Sequence, residues 1–384
     1  MSDGATLSLL ELLPPDCIRS VLSFLRLHEL QSLSWSSALL NQASADATHI
    51  YNDGPLLNER QLRSLINKFK RIRVLYLAGL ELVGNALFSI LSNATVALST
   101  LQEIHLHGYT FAFSRSGPCP AMLHLEQAKH VTLHGKFTVD FGSVLLSSDL
   151  ETLSIQYCYS IQDEHIDTIL GRRLLETLSL AMCSRIFSPK IQSHSLRHLR
   201  LMGCFDLRDL PAFHCPQLVS LQLSDCTRLG GESIQNAVQS LNHLELLKIS
   251  KCPLLMTLEI VSSTLTSLDV TLSSNLSKLS LDCPSLSHLV TAVCLRLHTV
   301  IVASSSIKTL NLSMLPHLEV LDLYAPALLQ LNVCGCTKLA HATVDTPALH
   351  DVDICGTGLL DDLEHWTHIS NVRQGVATTL LEST

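Results

Sequence analysis

Histidines and one carboxylate alternate in two stretches of the sequence, and these side chains bind zinc or change charge near neutral pH. Glu103, His105 and His107 form the first stretch, and His130 and His134 belong to the second. If the two stretches are neighbouring parallel strands, His107 lies beside His134 and Glu103 beside His130. The cluster is then a zinc or pH-sensitive patch, or simply a set of solvated histidines. Since the spacing follows no zinc motif, we predict no metal site and no cofactor.

A second pair of metal-binding or redox-active side chains lies near the C-terminus. Cys334 and Cys355 fall at equivalent positions of a repeat, with Asp351 and Asp353 alongside. A disulfide or a metal is conceivable there, but thiols on neighbouring strands stay free in a reducing compartment. The sequence contains no Gly-x-Ser-x-Gly elbow, phosphate-binding glycine loop or His-Glu-x-x-His helix. We therefore predict a non-catalytic protein.

The elements that position these residues repeat with a fixed period. The register Leu-x-x-Leu-x-Leu returns every 21 residues at Leu265, Leu286, Ile307, Leu328 and Leu349. A second series with the same step runs through Leu255, Leu276, Leu297, Leu318 and Leu339. This period and motif are typical of leucine-rich repeats, in which each coil adds one short strand to a stacked parallel sheet. Two series predict strands on both sides of each C-terminal coil, with no room for a helix.

The same register extends towards the N-terminus in longer coils. Further starts fall at Ile72, Leu101, Ala128, Leu150, Leu175, Leu196, Leu218 and Leu244, which makes about thirteen coils. The longer coils that begin at Leu150 and Leu218 have room for a helix on the back. Seven cysteines follow a front leucine by eight residues, where repeats of this kind place a small side chain: Cys158, Cys183, Cys204, Cys226, Cys252, Cys294 and Cys336. We predict that they are buried, reduced thiols.

Composition excludes several classes of partner. A net charge of −8 without a strong basic cluster argues against nucleic-acid binding. No apolar run approaches the roughly 18 residues that span a bilayer, so we predict no membrane partner. The N-terminus lacks the basic region of a secretory signal, so we expect a cytoplasmic and/or nuclear protein. Partners are expected to be proteins.

Residues 1–58 show no repeat and contain short helical patterns rich in leucine. Leu13-Pro14, Ile18, Val21-Leu22-Ser23-Phe24-Leu25, Leu30, Leu33, Ser37 and Asp46 resemble the F-box motif, although Leu40 stands where a Trp is typical. The repeats Leu150–Cys158 and Leu218–Cys226 are similar to the cysteine-containing repeats of F-box/leucine-rich-repeat proteins. Members of that family are substrate-receptor subunits of Skp–cullin–F-box ubiquitin ligases. The resemblance therefore implies a Skp-type adaptor, and through it a cullin, as partners.

The predicted fold class is α/β: a leucine-rich-repeat solenoid with a small N-terminal all-α F-box-like domain and a β-rich C-terminal half. We assign residues 1–58 to the F-box-like segment, 59–357 to the solenoid and 358–384 to a helical cap and tail. By resemblance, the adaptor-binding residues are Leu13, Pro14, Ile18, Val21, Leu22, Leu25, Leu30 and Leu33. Candidate target-binding residues on the front strands are Glu103, His105, His107, His130, His134, His198, Arg200 and Gln222.

An alternative is a ligase-independent protein-interaction scaffold, in which the N-terminal leucines only cap the first coil. Docking and capping share one apolar pattern, so the sequence does not separate them. They differ in one property: docking residues such as Leu22 and Leu25 are expected to be exposed in the free chain.

Overall fold

The computed structural model describes residues 21–22, 25–26, 29, 47–53, 57–69, 71–80, 86–108, 123–137, 144–211, 213–359 and 371–373. The chain divides into two compact units. The first comprises residues 1–161 with 172–183, and the second comprises residues 162–171 with 184–384. Among the helices in the described ranges, none is long and apolar enough to cross a membrane.

The first unit is built on a parallel front sheet whose strands follow one another in chain order. These strands are β1 (His49–Asn52), β2 (Val74–Leu80), β3 (Glu103–Gly108), β5 (His130–Phe137), β7 (Thr152–Cys158) and β8 (Thr177–Ala181). A two-stranded parallel sheet joins β4 (Leu123–Leu125) to β6 (Val144–Leu146). The helices are α1 (Glu59–Lys68), α2 (Ala86–Asn93) and α3 (Thr95–Leu98).

The second unit carries parallel strands on two sides of its coils. The front strands are β9 (His198–Met202), β10 (Ser220–Ser224), β11 (Leu246–Ser250), β13 (Ser267–Asp269) and β15 (His288–Val290). A separate front sheet contains β17 (Thr309–Asn311), β19 (Gln330–Asn332), β21 (Asp351–Asp353) and β22 (Asn371–Arg373). The back sheet contains β12 (Thr257–Val261), β14 (Lys278–Asp282), β16 (Thr299–Ala303), β18 (Val320–Tyr324) and β20 (His341–Asp345). The helices of this unit are α4 (Asp163–Leu170) and α5 (Gly231–Gln239).

The leucine register predicted these strands well. A front strand begins two residues after each predicted coil start, from β2 after Ile72 to β21 after Leu349. The prediction of strands on both sides of the C-terminal coils is confirmed by the back strands β12, β14, β16, β18 and β20. The two longer coils carry the expected helices, α4 and α5. The described residues therefore form a β-rich, parallel, leucine-rich-repeat-like architecture.

Side-chain alternation explains why the coils stack. In β18, Leu321 and Leu323 are buried, whereas Asp322 and Tyr324 between and after them face outwards. Because each strand pairs in register with the next, the inward leucines of successive coils form continuous apolar ladders. One coil could not bury its leucines alone, so the stability of each coil comes from its neighbours.

Four strands were not predicted from the sequence, because β4 and β6, like β1 and β22, follow none of the predicted coil starts. β1 lies within residues 1–58, to which the sequence assigned only helical patterns, and it pairs in parallel with β2. β22 pairs with β21 and continues the sheet beyond the last predicted coil. The helical cap predicted from Leu359 onwards lies outside the described residues, except for Leu359 itself, which is buried. The assignment of residues 1–58, 59–357 and 358–384 as domains stays a prediction.

From β7 to β21, the turn after each front strand has a left-handed backbone seven residues after the coil start, one before the cysteine position. Glycine adopts this conformation at Gly203, Gly335 and Gly356, with φ of 58°, 77° and 69°. Larger side chains adopt it at Tyr157, Met182, Asp225, Lys251, Leu272, Val293 and Met314. Such residues rarely take a positive φ, because Cβ approaches the following carbonyl. The stacked coils therefore impose the turn against local preference.

The cysteine ladder has a hydrogen-bonding role. Cys294 Sγ donates to the carbonyl oxygen of Val270 in the preceding coil at 3.1 Å, and Cys336 Sγ donates to Leu312 O at 3.1 Å. Ser273 takes the same place in the coil before Cys294 and donates to Ile249 O at 3.3 Å. All seven ladder cysteines are buried, as predicted. A small donor at this position thus gives a carbonyl of the preceding coil a hydrogen bond.

Replacing Cys294 with alanine is expected to lower the free energy of unfolding by about 1 kcal/mol, because the Val270 carbonyl keeps only the Ser273 N–H as a donor and a small void forms. Cys294→Ser is the matched control, since Ser273 makes this contact naturally in the preceding coil. We expect the serine variant to lie closer to the wild type than the alanine variant. Urea unfolding followed by circular dichroism measures both, and a serine variant weaker than the alanine variant would contradict the hydrogen-bonding role.

Candidate functional site

The front face of the first unit carries a row of aromatic rings and imidazoles. In β3, Ile104 and Leu106 point into the core, so His105 and His107 point outwards. The neighbouring β5 places His130 and His134 on the same face, and its register sets His107 opposite His134 and Glu103 opposite His130. The predicted pairing of the two histidine stretches is therefore confirmed.

Two tyrosines extend this row. The ring centroids of Tyr51 and Tyr76 lie 6.2 Å apart, and Tyr76 lies 5.2 Å from His107. His107 meets His134 edge to face at 4.9 Å. These separations fall in the range in which rings attract one another beyond the effect of their burial. We call Tyr51, Tyr76, His105, His107 and His134 the Tyr–His band.

Hydroxyl groups of the next strand hold the imidazoles in place. His105 Nδ1 lies 2.9 Å from Thr132 Oγ1, and His134 Nε2 lies 2.9 Å from Ser154 Oγ. His130 Nδ1 makes the same type of contact with Thr152 Oγ1 at 3.0 Å. A ring with one hydrogen-bonded nitrogen and packed faces has few alternative rotamers. These contacts therefore restrict the rings of His105 and His134 in the Tyr–His band before any partner binds.

The two most enclosed imidazoles of the band, those of His107 and His134, are uncharged at neutral pH. Burial, followed by the proximity of His107 and His105, lowers the pKa of His134 to about 4. The pKa of His107 is also lowered, first by burial and then by His105. Both rings are therefore neutral at pH 7, so a partner can cover them without removing water from a cation.

Charged side chains border the band. Lys129 Nζ lies 2.7 Å from Glu151 Oε1, and Glu151 Oε2 lies 3.8 Å from His130 Nε2. The hydrogen bond between Lys129 and Glu151 raises the pKa of the lysine and lowers the pKa of the glutamate. Glu103 Oε2 lies 3.7 Å from His105 Nε2. An uncharged aromatic centre with a charged border is the usual composition of a protein-binding surface.

The remaining candidate target-binding residues lie on the front strands of the second unit. His198 and Arg200 are exposed on β9, and Gln222 faces outwards on β10. Arg200 Nε donates to Gln222 Oε1 at 2.9 Å, as their register requires. Arg200 and Gln222 thus form a small polar patch on the second unit. In the described part of the chain, no group of three or more His, Cys, Asp or Glu side chains is arranged to hold a metal ion.

The predicted adaptor-binding residues are only partly described. Leu13, Pro14, Ile18, Leu30 and Leu33 lie outside the described residues. Val21 is 37% exposed, Leu25 is half-buried and Leu22 is 0% exposed. Leu22 therefore does not meet the exposure expected of a docking residue in the free chain.

The backbone near Leu22 contacts the edge of the front sheet. Arg26 forms a parallel bridge with Tyr51 of β1, and its guanidinium lies 3.4 Å from Asp53 Oδ2. Arg26 N also donates to Glu29 Oε2 at 2.7 Å. These contacts tie the described part of the N-terminal segment to the first strand.

Sequence reasoning missed the two tyrosines of the band. Tyr51 was missed because β1 was not recognised in residues 1–58. Tyr76 occupies the same outward position in its coil as His105 in the next, so the register could have found it. In the structure Tyr51 lies between the buried residues Ile50 and Asn52, but Asn52 is polar, so the sequence shows no apolar alternation there.

Comparison with known proteins identifies no family for this chain. No family model matches the sequence, and no curated protein matches it. A chain of the crystal structure of the Rad7 and Elc1 complex in yeast is similar with 14% identity and a TM-score of 0.26, over 92% of this chain and 87% of that one. A chain of the TLR13–ssRNA13 complex is similar with 16% identity and a TM-score of 0.23, over 88% and 71%. TM-scores this low show neither a shared fold nor a shared function.

Proposed function

We propose that this chain is a non-catalytic substrate receptor. Its front sheet binds a protein target, and its N-terminal segment docks a Skp-type adaptor that links it to a cullin. The Tyr–His band is the observation that carries target binding. The F-box resemblance of residues 13–46 is the basis for the adaptor.

The Tyr–His band suits protein recognition for three reasons. Tyr51 and Tyr76 offer large rings with few rotatable bonds, so little conformational entropy is lost on binding. Tyrosine is also among the residues that dominate binding energy at interfaces. His107 and His134 are neutral, so covering them does not bury a charge.

A hydrolytic role for the same surface is disfavoured. Ser154 Oγ and His134 Nε2 are 2.9 Å apart, as in a nucleophile and its base. However, a histidine whose pKa is about 4 is a weak base at neutral pH. No hydrogen bond or ion pair joins His134 to a carboxylate in the described ranges, so nothing there orients the ring as a third catalytic group would.

The second candidate function is a ligase-independent interaction scaffold. The burial of Leu22 favours it, because a side chain with 0% exposure cannot contact an adaptor unless the segment opens. The bridge between Arg26 and Tyr51 also fits a segment that covers the edge of β1. In this case the solenoid binds a protein partner through the same band but recruits no ligase.

Adaptor capture separates the two functions. We expect the wild type to capture a purified Skp-type adaptor with its cullin, and Val21→Asp/Leu25→Asp to weaken capture by about a hundredfold, since each lost apolar contact costs at least 1.5 kcal/mol. Tyr76→Ala is the matched control, because it alters the band and leaves the leucines intact. Circular dichroism verifies that both variants are folded.

Failure of the folded wild type to capture the adaptor would overturn the receptor function and leave the scaffold. Equal capture by the wild type and the double variant would show that these leucines are not the docking residues. Loss of capture in Tyr76→Ala would instead place the adaptor on the band.

A further inference from the structure

The front strands of the second unit are interrupted at one point. β15 is the last strand of one front sheet and β17 is the first strand of another, although the two strands belong to consecutive coils. On the back of the same coils, β14, β16 and β18 pair without interruption. The coils therefore stay joined at the back and separate at the front. A cleft of about 390 Å³ opens at this separation.

Polar side chains from the front positions line the cleft. Val290 and His288 of β15 form one wall. Amide side chains form the floor: Asn311, Gln330 and Asn332. Asp351, Asp353 and Arg373 lie at the far end. Asn311, Asn332 and Asp353 are register partners of consecutive strands, so they form one row with a spacing of about 4.8 Å.

This row is held in a fixed orientation. The side-chain oxygen of each residue accepts the backbone N–H two residues later: Ser313 N to Asn311 at 3.0 Å, Cys334 N to Asn332 at 2.9 Å and Cys355 N to Asp353 at 3.1 Å. One oxygen is occupied by the turn in each case. The Nδ2 donors of the two asparagines have no partner in the described parts of the chain, whereas the Asp353 carboxylate also hydrogen-bonds the Cys355 side chain.

The two ends of the cleft differ in charge. Asp351 and Asp353 alternate on one strand and face the same side, so their carboxylates lie roughly 7 Å apart along β21. Gln330 Nε2 donates to Asp351 Oδ2 at a long 3.5 Å. Arg373 is the register partner of Asp353 and the one cation among the lining residues, and no ion pair joins the two within the described residues. The carboxylates outnumber the cation, and the whole chain has a net charge of −8.

We propose that this cleft binds an extended peptide segment that carries a lysine or arginine. The asparagine amides donate to carbonyls of the peptide backbone, and the cationic side chain lies against Asp351 and Asp353. Val290 supplies an apolar contact at the other end. The proposal rests on the protein-binding function above and names the chemical class of the bound segment.

The chemistry favours a peptide cation over a metal ion at this end. A metal site would need at least three converging ligands, and no such group occurs among the described residues. A guanidinium or ammonium group needs only one or two carboxylates and tolerates the spacing between Asp351 and Asp353. The free amide donors of Asn311 and Asn332 also suit the backbone carbonyls of a bound peptide.

An oriented library of acetylated, amidated nonapeptides with four randomised central positions tests this proposal on the full chain. We expect the wild type to enrich lysine or arginine at one position by about threefold or more. We expect Asp351→Asn/Asp353→Asn to lose this enrichment. The asparagine substitution keeps the acceptor for Cys355 N–H, as Asn311 and Asn332 do in the neighbouring coils. The variant should therefore fold normally.

Asp322→Asn/Asp345→Asn is the matched control, because it removes the same charge from outward positions of the back sheet. It should leave the enrichment unchanged. Cation enrichment that survives in the cleft variant, or is lost equally in the control, would overturn the cleft as its source. A folded wild type that enriches no cation would overturn the proposed ligand. Adaptor capture by the same preparation reports on the proposed function separately.

Discussion

Gly231→Ala is expected to lower the free energy of unfolding of the second unit by about 3 kcal/mol, the largest stability effect that we predict. Gly231 is the first residue of α5, and a Cβ added there would overlap the carbonyl oxygen of Thr257 in β12. Leu255 Cδ1 would lie only 3.3 Å away on the other side. Because the obstacle is backbone rather than a flexible side chain, the helix and the strand must move apart.

The adjacent glycine provides a matched control. Gly230 is the N-cap of α5, and a Cβ added there would meet nothing within 4 Å. Its φ of −88° is accessible to alanine. We expect Gly230→Ala to cost less than about 1 kcal/mol, the usual scale of a poorer N-cap. Urea midpoints measure both variants, and equal midpoints would contradict the predicted contact between α5 and β12.

The first unit is expected to lose stability as the pH falls from about 6.5 to about 4. The pKa of His134 is about 4 in the folded chain, below the ordinary histidine value, mainly because of burial. Between these values the unfolded chain binds a proton that the folded chain does not, so acid favours unfolding. His107 acts in the same direction, since its pKa is also lowered. At pH 7 the imidazole is neutral in both the folded and the unfolded chain, so this loss of stability is absent there.

The size of this effect is limited by solvent. His134 is only half-buried, and screening reduces the cost of protonation to about 1–2 kcal/mol over the pH window. His107 and His105 face His134 across the strands, and Glu103 lies beside His105. Protonation of His134 would therefore place a cation next to imidazoles. We also expect binding of a target to the Tyr–His band to weaken in this window.

Urea unfolding at pH 7, 6, 5 and 4, compared between the wild type and His134→Gln, measures this contribution. Glutamine keeps a polar group that can reach Ser154 Oγ, the hydroxyl that contacts His134. We expect the variant to have a flatter dependence of stability on pH between about 6.5 and 4. The same slope in both proteins would show that His134 is not the group responsible.

The sequence was most informative where one physical requirement repeats. Every coil must bury leucines against its neighbours, so Leu265, Leu286 and their equivalents reveal the strands without knowledge of the structure. The small donor eight residues later recurs because each coil presents a carbonyl in the same place. Cys294 and Cys336 could therefore be predicted to be buried from spacing alone.

The candidate surfaces could be predicted only in part. The register correctly paired His107 with His134, because parallel strands in a regular stack have only one register. It could not show the lowered pKa of His134, which depends on how closely the surrounding side chains enclose the ring. Nor could it show that Leu22 is buried, since docking and capping leucines have the same pattern.

The amino-acid sequence by itself determined the coil register, the parallel strands on both sides of the C-terminal coils and the buried cysteine ladder. These properties follow from local periodicity, which every coil expresses in the same way. Only the tertiary structure decided where the regular pattern ends: the added strands β1 and β22, the ring contacts of Tyr76, and the separation of β15 from β17. The physical reason is that these features depend on how one particular coil meets the next, and no repeating residue encodes them.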